Sequence, residues 1–139
     1  MRFVYLSEKF YDKYGGYSEI MQKKSRPYAC LAVEIDGITF AIPFRHHINH
    51  RYSFITKNSQ GLDYSKAVVI EDIEYISAVP AWVESDDFKS IKKREKAVEK
   101  GMERYYRLYL KSLKYADNPK YSSIINYSSL KYFIKLQSS

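Results

Sequence analysis

Tyr28-Ala29-Cys30-Leu31-Ala32-Val33-Glu34-Ile35-Asp36-Gly37-Ile38-Thr39-Phe40-Ala41-Ile42-Pro43 is the stretch that decides the fold. Two runs rich in β-branched and aromatic residues are joined by Asp-Gly. That pair suits the two positive-φ positions of a type I′ turn, whose twist matches the strands it connects. The stretch is read as a tight antiparallel hairpin. Pro43 has no N–H to give to a sheet ladder, so the second strand is expected to end there or to lie at an edge. Phe44-Arg45-His46-His47-Ile48-Asn49-His50-Arg51 is then released as a loop.

Upstream, residues 2–6 read as a strand, and Ser7 as the N-cap of a short helix over residues 7–14 that Gly15-Gly16 ends. Residues 17–26 are polar and basic, closing on Lys23-Lys24-Ser25-Arg26 before Pro27, and form a candidate ligand loop. Downstream, residues 53–55 suggest a short strand and 57–63 a turn. Residues 67–70 suggest a buried strand with a companion at 75–77. From Ser85 onward Phe88, Ile91, Val98, Met102, Tyr105, Tyr109 and Leu113 recur at steps of three, four or seven. They predict one long amphipathic helix, interrupted at most near Gly101. Asn118-Pro119 breaks the chain, and residues 128–134 form a short helix or strand packed back on the core. No repeat or low-complexity tract is present. The expected architecture is α+β: a small, mostly antiparallel sheet curled into a half-open barrel, with helices outside it.

A chain of 139 residues with 45% apolar and 28% charged side chains has the length and composition of one folded domain, residues 1–139. The first residues lack a signal peptide, and no window approaches the roughly 18 apolar residues of a membrane span, so a cytoplasmic protein with no membrane partner is expected. Cys30, the single cysteine, sits in an apolar run and reads as a buried structural thiol. The net charge of +7 is concentrated: residues 89–114 hold ten Lys or Arg against three Glu, a surplus equal to the whole. A polyanion is the natural partner for such a helix, set against the plainer reading of a solvated face.

All three histidines, His46, His47 and His50, fall within five residues, beside Arg45, Asn49 and Arg51. Imidazole exchanges protons near neutrality, and guanidinium is a fixed fork for phosphate oxygens. Together these are parts for cleaving RNA through attack of the ribose 2′-OH on the adjacent phosphorus. That reaction needs a base, an acid and cationic charge but no metal, and it leaves a 2′,3′-cyclic phosphate and a 5′-OH. A metal site built on His46, His50 and His47 is the competing reading. The lack of a carboxylate in the loop and the charges of Arg45 and Arg51 weigh against it. Surface histidines without a role are the plain alternative. Lys66 opens the strand at 67–70, where ligand-facing residues often sit, although a solvated lysine is as good a reading. Asp63 is expected to cap or orient the neighbouring loop. The fifteen tyrosines offer stacking faces and core bulk.

Several stretches carry a family likeness: Met1-Arg2-Phe3-Val4-Tyr5-Leu6, Arg26-Pro27-Tyr28, Asp36-Gly37-Ile38-Thr39-Phe40-Ala41-Ile42-Pro43, Ile48-Asn49-His50, and Gly61-Leu62-Asp63-Tyr64-Ser65-Lys66-Ala67-Val68-Val69-Ile70. In their order and spacing the chain resembles the TenpN group of toxins from type III toxin–antitoxin systems, relatives of the ToxN/AbiQ family. The resemblance covers residues 1–70, with a helical remainder of compatible length. It implies an endoribonuclease with a Kid/MazF-like sheet core that cuts cellular mRNA and its own repeated antitoxin precursor. It further implies inhibition by the processed pseudoknot RNA in a closed protein–RNA assembly, with no cofactor.

The family's loop after the corresponding proline carries Thr-Ser and then a lysine. Arg45 and His46 stand there in this chain, so the hydroxyl part of that site does not carry over and the general base is left open. On the combined reading, His46 or His50 is base or acid, Arg45 and Lys23 stabilise the phosphorane, and Asn49 orients His50 or a base. Lys24, Arg26, His47, Arg51, Lys66, Lys92, Lys93, Lys96, Lys100 and Arg104 bind RNA. A non-catalytic RNA-binding module is the alternative. A DNA-binding protein is weakened by the lack of a convincing helix-turn-helix.

Overall fold

The structure, a computed structural model, describes residues 2–22 and 27–134. Among these, six strands form one antiparallel sheet: β1 (Arg2–Tyr5), β2 (Ala29–Ile35), β3 (Ile38–Arg45), β4 (Ser53–Lys57), β5 (Gln60–Asp63) and β6 (Val68–Val69). The order is β1-β2-β3-β5-β4, and β6 also pairs with β3. Four helices of the described residues accompany it: α1 (Glu8–Tyr14), α2 (Ser85–Lys93), α3 (Glu95–Lys114) and α4 (Pro119–Asn126). The class is α+β. The sheet is not closed into a barrel: β1 and β4 lie at opposite ends of the strand order and do not pair.

The hairpin forms as its sequence dictates. Asp36 (φ 53°) and Gly37 (φ 78°) make the turn, and Ile35 pairs with Ile38. The strand does not stop at Pro43, which pairs with Cys30 inside β3. The Ile70 N–H donates to the Thr39 carbonyl, so odd-numbered residues of β3 turn their backbone polar groups away from β2. Pro43 faces that side at the gap between β6, paired with Phe40 and Ala41, and β5, paired with Phe44 and Arg45. A missing N–H there forfeits no ladder bond.

The turn expected over residues 57–63 is instead the second half of another hairpin. Asn58 and Ser59 both have positive φ, and the chain returns as β5 between β3 and β4. The companion expected at 75–77 contributes one bridge, Leu6 to Ile76, on the outer side of β1.

The sheet is buried on both faces. Leu31, Val33, Ile35, Phe40 and Ile42 pack with Ile91, Val98, Met102, Tyr105, Tyr106 and Tyr109 of the long helices. Cys30 and Ala41 point the other way, into a cluster with Val4, Phe10 and Tyr14. Burial pushes the Cys30 thiol up to about 12, as suits a structural residue. The helical run breaks at Arg94 (φ −126°, ψ 33°), not at Gly101. Asn118 starts a helix rather than only ending one: its side chain accepts from the Lys120 N–H, with Pro119 at the first position. Residues 129–132 form a 3₁₀ turn, where the Ser129 hydroxyl donates to the carbonyls of Ser65 and Ala67. Among the described residues no helix is long and apolar enough to cross a membrane.

Gly101 is where Tyr64 meets α3. A Cβ there would stand 2.3 Å from the Tyr64 hydroxyl oxygen, which donates to the Val98 carbonyl at 2.9 Å. The gain in helix propensity from Gly101→Ala, about 1 kcal/mol, is smaller than the overpacking cost. The substitution is expected to lower stability by about 2 kcal/mol in urea unfolding. Stability at or above that of the unaltered protein would show that Tyr64 gives way freely.

Candidate active site

Asp63 ends β5 and caps the 3₁₀ turn Tyr64–Lys66, so its carboxylate is fixed by local backbone geometry before any partner arrives. It is fully buried, and both of its oxygens are engaged. Oδ1 takes the Ser65 N–H at 2.9 Å and the Ser65 hydroxyl at 2.6 Å. Oδ2 takes Arg45 Nη1 at 2.7 Å and lies 3.2 Å from His50 Nε2. Burial alone would push this carboxyl up, but the bonds from His50, Ser65 and Arg45 outweigh it and hold the group below its ordinary value.

The tautomer of His50 follows from its other nitrogen. The Tyr52 N–H donates to Nδ1 at 3.1 Å, and a ring nitrogen that accepts carries no proton. The proton is therefore on Nε2, where it is donated to Asp63. The Ser65 Oγ lies 3.4 Å from the same Nε2.

These side chains open onto a cleft of about 500 Å³ lined by Arg45, Asn49, His50, Tyr52, Ser65, Lys66, Tyr105, Lys120, Ser123, Ile124 and Tyr127. β3 brings Arg45, the loop 46–52 brings Asn49 and His50, and the turn after β5 brings Ser65 and Lys66. The Lys66 Nζ is pinned at the wall by Glu19 Oε1 at 2.6 Å and the Tyr127 carbonyl at 2.9 Å. Burial pushes the Tyr105 phenol up, the Asp63 carboxylate adds to the shift and a hydrogen bond with Ser128 offsets part of it, so Tyr105 stays neutral as a wall of the cleft. Among the described residues no carboxylate lines the cleft.

The three histidines do not line one space. Ile48 is buried and its N–H donates to the Ser59 carbonyl at 2.8 Å, which anchors the middle of the loop. His50 falls on the cleft side of that anchor. His46 and His47 are exposed on the other, and His46 lines a separate groove with Trp82 and Glu84. Among the described residues no three His, Cys, Asp or Glu side chains gather as a metal site.

Lys23, Lys24 and Arg26 lie outside the described residues. Lys92 and Lys93 on α2, and Lys96 and Lys100 on α3, are exposed and line neither the cleft nor its neighbouring groove. Arg51 and Arg104 border that neighbouring groove. Sequence reasoning gave Asp63 a capping role and missed its clamp on Arg45 and His50, and it passed over Ser65, Tyr52 and Tyr105. The segment Asp63-Tyr64-Ser65 at a strand end carries the signal for the Ser65 contact, because an Asp accepts readily from the backbone two residues on.

Comparison with family models, with curated proteins and with solved structures finds no match to this chain.

Proposed function

We propose that this protein is a metal-independent endoribonuclease, the toxin of a type III toxin–antitoxin pair. The observation that carries the reading is the buried Asp63 holding Arg45 and His50 side by side at one cleft. Arg45 spends Nη1 on Asp63 and keeps further N–H donors of its fork for a phosphate. With Nε2–H held by Asp63, the basic atom of His50 is Nδ1. In the proposed reaction the substrate's 2′-OH replaces the Tyr52 N–H there and gives its proton to Nδ1. The oxygen bonds to phosphorus, the bond from phosphorus to the 5′ oxygen breaks, and that oxygen takes a proton from water as it leaves, while Nδ1 returns its proton to the hydroxide so formed. Arg45 supplies positive charge to the equatorial oxygens, and Lys66 joins it by exchanging its Glu19 partner for the phosphate. Their cationic groups in the cleft also support chemistry without a metal.

In this reading the antiparallel core corresponds to a Kid/MazF-like sheet. The partners are cellular mRNA and a pseudoknot antitoxin RNA, held with the protein in a closed assembly. A second reading, a non-catalytic RNA-binding module, is favoured by one observation: both ring nitrogens of His50 are already engaged. Incubation of end-labelled single-stranded RNA with the purified protein in excess EDTA separates the two. Discrete cuts ending in 2′,3′-cyclic phosphate are expected. Intact RNA despite tight binding would sink the nuclease reading.

A further inference from the structure

Beside the cleft, across Tyr52 and Tyr105, lies a second groove of about 440 Å³ between β4 and α3. Both tyrosines line both spaces. Among the described residues the second groove holds three arginines, Arg51, Arg94 and Arg104, and no carboxylate. Among those same residues none of the three is in an ion pair, whereas Arg107 on the same helix is tied to Asp36 and Glu103. Unpaired guanidinium groups that converge on a concave surface are groups kept for an anion.

The floor and walls suit a chain of phosphates with bases attached. Arg94, Ala97, Gly101, Arg104 and Leu108 recur along one face of the helical run. Arg94 and Arg104 stand about 15 Å apart along it, with only small side chains between them. The Arg51 guanidinium sits 5.4 Å from the Tyr52 ring centre and the Arg94 guanidinium 5.5 Å from that of Phe54. Each of these two arginines is thereby oriented by a ring; Arg51 Nη2 also donates to the Tyr52 hydroxyl at 3.5 Å, and the remaining N–H groups of both stay available to a ligand in the groove.

We propose that this groove binds the phosphates of single-stranded RNA flanking the linkage held in the cleft, the strand passing from one to the other beside Tyr52. This rests on the ribonuclease reading only for the direction of the strand's path. The choice of a single strand comes from aromatic rings interleaved with arginines, the combination that grips unpaired bases and backbone together.

The test uses the full chain and a fluorescent 2′-O-methyl single-stranded RNA of about ten nucleotides. That strand has no 2′-OH nucleophile, so binding is read apart from cutting. Replacing Arg51, Arg94 and Arg104 together by alanine is expected to weaken binding about a hundredfold. It should also lower the slope of log affinity against log salt by about two, as loss of three phosphate contacts on a single strand requires. The single variant Arg104→Glu, on an exposed position, is expected to weaken binding at least tenfold, and it keeps the groove testable should the triple variant melt early. Unchanged affinity and slope in both would overturn the groove, whatever the protein does to unmodified RNA. Equal competition by polyglutamate or by duplex RNA would overturn the single-strand assignment. Arginine-dependent binding with no cutting of the unmodified strand would leave the groove standing and bring down the ribonuclease reading instead.

Discussion

Asp63→Ala is expected to cost about 3 kcal/mol of stability, measured by urea unfolding near neutral pH. The side chain is fully buried and accepts the hydrogen bonds that orient the cleft, so its loss strands Arg45 without a counter-charge, leaves the His50 Nε2–H without its acceptor and frees the Ser65 N–H and hydroxyl. Arg45 and His50 are each about a third exposed, at 32% and 29%, so water recovers part of the penalty and the low end of the usual range applies. Asp63→Asn keeps an acceptor for Ser65 and should lose about 2 kcal/mol.

The pH dependence has a definite sign. The folded state holds the Asp63 carboxyl below its ordinary value, so its charged form stabilises the protein above the unfolded-state value of about 4. That contribution disappears as pH falls through the lowered folded value. The gap between the unaltered protein and Asp63→Asn should therefore be constant from about pH 7 to 5 and shrink below about pH 4. A gap that stays the same in acid would show that charge on Asp63 has no part in holding the site.

Features with local causes were legible in the sequence. Asp36-Gly37 sets a turn whatever surrounds it, and Ser7 caps α1 by accepting from the Phe10 N–H in its own first turn. The apolar spacing after Ser85 puts Ile91, Val98, Met102, Tyr105 and Tyr109 in the core. Features whose causes lie elsewhere in the chain were not legible. Gln60-Gly61-Leu62-Asp63 has little strand character of its own and becomes β5 because β3 and β4 flank it. Pro43 stays inside a strand because β3 changes partners beside it. Asn118-Pro119 was read only as a break, although an Asn cap with proline at the first position is itself a local signature of a helix start, and residues 119–126 then pack against α3.

The same division runs through the site. Arg45, Asn49, His50 and Lys66 were picked out by residue type and meet in one cleft. Three histidines close in sequence looked like one group, yet burial of Ile48 sends His46 and His47 to one side and His50 to the other. The clamp from Asp63 to Arg45 spans eighteen positions, and nothing in either local sequence announces it.

His50→Ala is expected to lower the rate of RNA cleavage by about a thousandfold, the scale of a lost proton acceptor, and to abolish growth arrest at equal expression. Because His50 also braces Asp63, the alanine variant alone would confuse a chemical role with a structural one. His50→Gln separates them. Glutamine offers an N–H to Asp63 in place of Nε2 but no basic nitrogen, so melting behaviour and affinity for a 2′-O-methyl strand should recover while cleavage does not. Arg45→Lys should keep a cation near Asp63 but lose the fork, and cut about a hundredfold more slowly. The decisive comparison is cleavage against binding across the three variants. Full cleavage by His50→Gln would reduce His50 to a brace for Asp63 and move the search for the base to Asn49's neighbours on the loop. Loss of binding in step with cleavage in every variant would instead favour the binding module, in which Arg45 and His50 hold RNA without cutting it.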